Sequence, residues 1–268
     1  ALTCKEHVVW RMQAGMGDCI FAPMYEYLEK KPNVTFKFFH EIGELKLDDS
    51  KKNVSEIIMH EQVKLKEEGV YNPLIPVKDL PCWPSEPNYE YIDTHMVPDL
   101  EKINLEDPWS GWEPYRTYSI KQGEDYDMVL MGFSVGSIPY TCPELIDHSE
   151  KWRKMVQRVQ TVQTQAYQLW FNKKHDVLKV EEDKLLSTYV ETVDTFAAMN
   201  QLLPREEWPA EHEPHYVVYL CGAHRHANVI PPFNVHSFPK QEQDRSKRFL
   251  RMYIDNYFEH LMPGAYKD

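Results

Sequence analysis

No stretch of this sequence is apolar for long enough to cross a bilayer. Its longest apolar runs, at 128–133 and 216–221, fall far short of the roughly 20 residues a spanning helix needs, so no membrane span is expected. Clustered basic charge is missing too. Lys and Arg number 30 against 42 Asp and Glu, a formal net charge of −12. A phosphate-binding surface needs the opposite balance to displace counterions, and no nucleic-acid partner is expected. Cysteines are few and scattered: Cys4, Cys19, Cys82, Cys142 and Cys221 are odd in number, in a chain too long to need stapling. With no signal-like start, this usage predicts the cytoplasm or another reducing soluble compartment. There is no internal repeat, no low-complexity tract and no G-x-G-x-x-G fingerprint.

What is present suffices for an ordered globular chain. A length of 268 residues, 42% of them hydrophobic and 13% aromatic, can bury a sizeable core. Gln13-Ala14-Gly15-Met16-Gly17-Asp18 reads as a turn, with Asp18 placed to cap a helix. Ile20, Phe21, Met24 and Leu28 then space as its inner face. Residues 34–38 alternate as a strand, and 54–59 and 62–65 follow as two more, a β-meander. From 71 to 125 the prolines are dense and aromatics are interleaved, which predicts an ordered loop, lid or insertion. Residues 126–132 form a continuous apolar run with the pattern of a buried strand.

Further on, 149–159 reads as a helix capped by Ser149, with Trp152, Met155, Val156 and Val159 inward. Residues 167–171 and 216–221 read as strands and 195–203 as a short helical stretch. Phe249, Leu250, Met252, Tyr253, Tyr257, Phe258 and Leu261 mark a C-terminal amphipathic helix. The chain thus reads as α/β with a mixed sheet, divided at 1–70, 71–125 and 126–268.

The run Ala14-Gly15-Met16-Gly17-Asp18, the helix after it, residues 34–39, His40-Glu41-Ile42-Gly43-Glu44-Leu45 and, much later, Tyr126-Asp127-Met128-Val129-Leu130-Met131 resemble the central region of flavin amine oxidases and phytoene-desaturase-like FAD oxidoreductases. Residues 152–171, 202–208 and 219–222 extend the likeness over most of the chain. The resemblance implies the substrate domain plus part of the FAD-binding domain: residues 1–70 line the flavin and 126–268 belong to the substrate domain. It also implies FAD as cofactor, a small organic molecule as substrate, and hydride transfer to the flavin. Gly15, Met16 and Gly17 would approach the cofactor, and Ile42 would take the adenine side through its backbone. Only glycine lets backbone lie close to a flat ring. The dinucleotide fingerprint and a second flavin-contacting glycine segment are missing, so the resemblance implies a companion polypeptide or further segments carrying that fold. Residues 161–165 hold no lysine where many amine oxidases have one, so amine oxidation is not specified.

Other patterns compete. The chain could be a non-catalytic subunit or fragment acting only within a larger assembly, drawn there by apolar surface. Gly132-Phe133-Ser134-Val135-Gly136 matches the G-x-S-x-G elbow, with Ser134 as nucleophile and Asp194 and His224 or His226 as later triad members. Pro139 and Pro143 argue against the helix that must follow, and a plain turn is the alternative. Cys221, His224, His226 and His236, with His212 and His215, match no standard metal spacing, and no metal is assigned. Trp83, Trp109, Trp112, Tyr115 and Tyr118 could wall a substrate pocket or simply pack a long loop. Residues 179–184 read as a solvated patch of mixed charge.

Overall fold

The computed structural model of the chain describes residues 11–191, 193–224 and 229–265. A π-helical turn (Gly17–Phe21) runs directly into α1 (Ala22–Leu28). β1 (His40–Leu47) and β2 (Val54–Glu61) form an antiparallel hairpin turned at Lys51. Its register shifts beside Gly43, where a Cβ would lie 2.4 Å from His60 Nε2, so glycine is needed for the imidazole to cross the strand. β3 (Ile75–Val77) and β4 (Leu80–Cys82) make a small second hairpin, and α2 (Val97–Leu100) is a single turn. β5 (Arg116–Lys121) returns to pair antiparallel with β2, giving the order β1-β2-β5.

Three helices cover one face of that sheet: α3 (Ile138–Thr141), α4 (Pro143–His148) and α5 (Glu150–Arg158). Ile138 and Cys142 are buried against Leu45 and Ile57, and Trp152, Met155 and Val156 close the cluster. Under the loop that follows β2, Val63, Ile92 and Leu100 form a separate small cluster.

The second half builds its own sheet. β6 (Gln163–Phe171), α6 (His175–Leu178), β7 (Leu185–Ser187), β8 (Thr195–Ala198) and β9 (Tyr216–His224) give an antiparallel sheet in the order β6-β9-β8-β7. Against it pack α7 (Phe238–Tyr253), a π-helical turn (Ile254–Phe258) and α8 (Glu259–Leu261). Phe196, Tyr216, Val218, Leu220, Phe258 and Met262 are buried together there. The two halves touch through Lys78 Nζ, which donates to the Pro204 carbonyl at 2.5 Å, and through the Trp109 ring on Phe233 and Phe238.

Helices combined with antiparallel sheets are thus what the chain contains, and β5 falls inside the proline-rich 71–125 stretch. Several local expectations are corrected. Residues 34–38 and 127–132 join no helix or sheet, and 62–65 contributes only an isolated bridge from Leu65 to Ile92. The third meander strand is β5 instead, because its alternation continues the face that β2 offers. Residues 195–203 divide into β8 and a 3-10 segment, since Phe196, Ala197 and Ala198 are buried between strands. On the first helix Ala22 and Tyr25 face inward, while Ile20, Phe21 and Met24 are exposed. No described helix is long and apolar enough to cross a membrane.

Gly264 locks the C-terminal turn: its N–H donates to the Leu178 carbonyl at 3.0 Å, and an added Cβ would lie 1.9 Å from the Val177 carbonyl oxygen. Gly264→Ala should therefore lower stability by about 1–3 kcal/mol, read as a fall in the urea midpoint. Gly132→Ala, where nothing lies within 4 Å, should leave the midpoint unchanged.

Candidate functional site

Gly15 starts the first helix by accepting the N–H groups of Asp18 and Cys19 at 3.0 and 2.9 Å. Asp18 therefore lies inside the helix and does not cap it; its Oδ1 accepts the backbone N–H of Trp83 at 3.0 Å. This brings the indole beneath the turn. A Cβ on Gly17 would meet Trp83 Cδ1 at 3.3 Å, so the absence of a side chain lets the ring lie close. Tyr25 packs edge-on against Trp83 at 5.5 Å and against Phe36 at 4.9 Å. Phe38 and Phe39 continue the series onto Tyr71, at 5.2 and 4.8 Å.

These rings wall a pocket of about 670 Å³, within the size range of small-molecule sites, with Phe38, Phe39, Tyr71, Trp83 and Tyr89 on its walls. Glu86, Glu101 and Glu106 stand at its edge against one cation, Lys102, itself 3.6 Å from Asp99. Phe39 holds φ at 57°, a left-handed conformation unusual for so bulky a residue. Strain of this kind costs on the order of 1–3 kcal/mol and concentrates at functional sites. The conformation is pinned by the Phe39 carbonyl, which accepts the Gln62 N–H at 2.7 Å, and by the Tyr71 contact.

The pocket phenols stay protonated at neutral pH. Burial raises the Tyr71 hydroxyl, which accepts the Asn88 N–H at 3.0 Å, and burial with the charges of Glu86 and Glu101 raises Tyr89. Tyr25, next to Trp83, is pushed up to about 12, chiefly by burial and then by Glu29. A second cavity of about 480 Å³ is also lined by Trp83, with Asp18, Lys78, Cys82, Arg205 and Glu206 around it. Burial first, and then Asp18, raise the Cys82 thiol, so it is not a thiolate nucleophile. Trp83 Nε1 is buried without a hydrogen-bond partner.

Of the residues expected to contact a cofactor, Gly17 lies against Trp83, Gly15 faces the Asp18 carboxylate, and Met16 between them is exposed. Ile42 is on β1 opposite Met59 and is also exposed. Trp83 is a pocket wall, but Trp109 and Trp112 serve as struts, donating to the Pro231 and Gln62 carbonyls. The sequence reading missed Phe38, Phe39, Tyr71 and Tyr89; the only hint was the density of aromatics around residue 71.

Ser134 does not form an elbow. It follows no strand, sits at a relaxed φ of −60°, ψ 144°, and is bonded by the Gly136 N–H; no described residue bonds either nitrogen of His224. His226 lies outside the described residues. Among the described residues no three His, Cys, Asp or Glu side chains gather as a metal site, and the described cysteines are all free.

A polar seam joins β6 to α7. The Tyr167 hydroxyl sits 2.6 Å from Gln165 Oε1 and 2.8 Å from the Ser246 carbonyl, and Arg245 bonds Gln163 and Glu242. At its end His224 is only 6% exposed and lies edge-on to Phe249.

Comparison of the chain with protein-family models, with curated proteins and with solved structures returns no match.

Burial, followed by the charge of Arg245, lowers the His224 pKa from its ordinary 6.5 despite the opposing charge of Glu242. The folded state then binds fewer protons than the unfolded one, so stability is full above about pH 6.5 and is lost as pH falls below it. Thermal unfolding between pH 7.5 and 5.5 should show a falling Tm, and His224→Leu should flatten that slope.

Proposed function

We propose that this chain is the substrate-binding portion of an FAD-dependent oxidoreductase, acting with a dinucleotide-binding fold carried on further polypeptide. The observation that carries this reading is the shared wall: the Trp83 ring lies against Gly17, at the start of the first helix, and also lines the aromatic pocket. A flat cofactor over the turn and a small organic molecule in the pocket would then be neighbours. FAD, when bound, supplies the chemistry by accepting a hydride.

The residues present fit one side of such a cofactor. Met16, Ile20 and Phe21 offer open apolar surface beside the turn, suited to a ring system. Phosphate-binding residues are a different matter: the sequence has no glycine-rich fingerprint to hold a pyrophosphate, which must be gripped by the companion fold. The faces of Gly15 and Gly17 where side chains would stand are filled by Asp18 and Trp83, so the cofactor would meet the outer side of the turn. Within the pocket, the aromatic walls desolvate the substrate, and the excess of Glu over Lys at the edge disfavours an anion. The substrate class is therefore a neutral or cationic organic molecule of modest size.

Purified with its companion polypeptide, the protein should show the visible bands of oxidised flavin. Tyr71→Leu and Tyr89→Leu should each raise KM for the substrate about tenfold while leaving flavin absorbance unchanged. Absence of flavin from the intact assembly would sink the reading.

A further inference from the structure

Residues 128–132 run between bends at 127 and 133 and belong to no helix or sheet. Val129, Met131 and Phe133 turn inward onto the cluster beneath β1-β2-β5, while Met128 and Leu130 point outward, 78% and 90% exposed. This is the two-residue alternation of a β-strand. Pairing stops at Tyr126, whose carbonyl takes the Gly123 N–H at 2.8 Å, and no described residue bonds the backbone N–H or C=O groups of 127–133. A strand meant to face water carries polar residues outward; one that is apolar on both faces belongs in a sheet covered on both sides. Residues 34–38, just before β1, likewise join no sheet: their backbone is unbonded at 35–37, and Phe36 is 40% exposed. Both unpaired segments thus flank the same three-stranded sheet.

We infer that residues 127–133 are a docking edge for a β-strand of a different polypeptide, which adds to this segment by main-chain hydrogen bonds and covers Met128 and Leu130. The row of open backbone groups selects an extended partner over a helix. The outward pair selects apolar side chains at alternate positions of that partner. Glu124, Asp125 and Asp127 are exposed at the start of the segment and select basic residues at the matching end. A net charge of −12 opposes a second copy of this chain as the occupant. The inference shares with the functional reading only the need for further polypeptide; it does not require that the cofactor be a flavin.

The test is amide hydrogen exchange on the full chain, with a synthetic capped peptide of alternating valines and lysines at one end as the probe. Amides at 127–133 should exchange freely in the protein alone and slow about tenfold or more with the peptide at millimolar concentration. Leu130→Lys should weaken that protection, and the same peptide N-methylated at alternate backbone nitrogens should give none. Unchanged exchange would overturn the docking edge. Equal protection by the N-methylated peptide would also overturn it, as plain apolar adhesion. Protection that rises with protein concentration alone, with a sedimenting dimer that Leu130→Lys dissolves, would replace the foreign strand by a second copy. A colourless assembly leaves the edge standing, and a failed peptide leaves the flavin reading standing.

Discussion

The placement of Trp83 is the constraint on which the first half of the molecule depends. Its backbone N–H is held by Asp18, its ring is roofed by Gly17, and its edge meets Tyr25. Two of these contacts reach the π-turn and one reaches α1, tying both to the end of the β3–β4 hairpin. Without that clamp the first helix would have little hold on the hairpin, since its other apolar side chains, Ile20, Phe21 and Met24, face outward. The clamp also sets the pocket. The Trp83 ring separates the larger aromatic cavity from the smaller one lined by Lys78, Cys82 and Arg205, so one side chain fixes helix, hairpin and both cavities.

Where a segment's pattern and its partners lay close together, the sequence was readable. β6 and β9 pair along their whole lengths and contain the strands read at 167–171 and 216–221; the C-terminal helix carries its apolar spacing openly. The first helix was visible too, although it begins at the glycines themselves: Met16 and Gly17, read as a turn, are already helical. Which face of that helix turns inward was not, because Tyr25 rather than the Ile20, Phe21 and Met24 series meets Phe36 and Trp83. Residues 127–132 are a related case: their composition is that of a covered strand, yet within the described residues nothing pairs with them. Residues 195–198 failed differently, as strand neighbours from β9 and β7 overrode a weak helical spacing.

The pocket was legible only in part. Trp83 stood out by residue type and by proline-rich company, but Phe38, Phe39, Tyr71 and Tyr89 come from separate stretches that only the folded chain brings together. Phe39 in particular gives no local sign of its left-handed backbone; that conformation is imposed by the Gln62 bond and the ring of Tyr71. The two halves also differ in self-sufficiency. The second sheet and its helices bury one cluster from Leu178 to Met262, whereas the buried residues of the first half fall into two smaller ones.

The seam between β6 and α7 fixes how that last helix can lie. Apolar ridges alone tolerate sliding by a turn, because leucine-sized contacts are interchangeable. Here a one-turn slip, about 5.4 Å along the helix axis, would strand the Tyr167 hydroxyl away from Ser246 and separate Arg245 from Gln163. Buried polar groups without partners are expensive, so the seam acts as a detent that admits a single setting of helix on sheet.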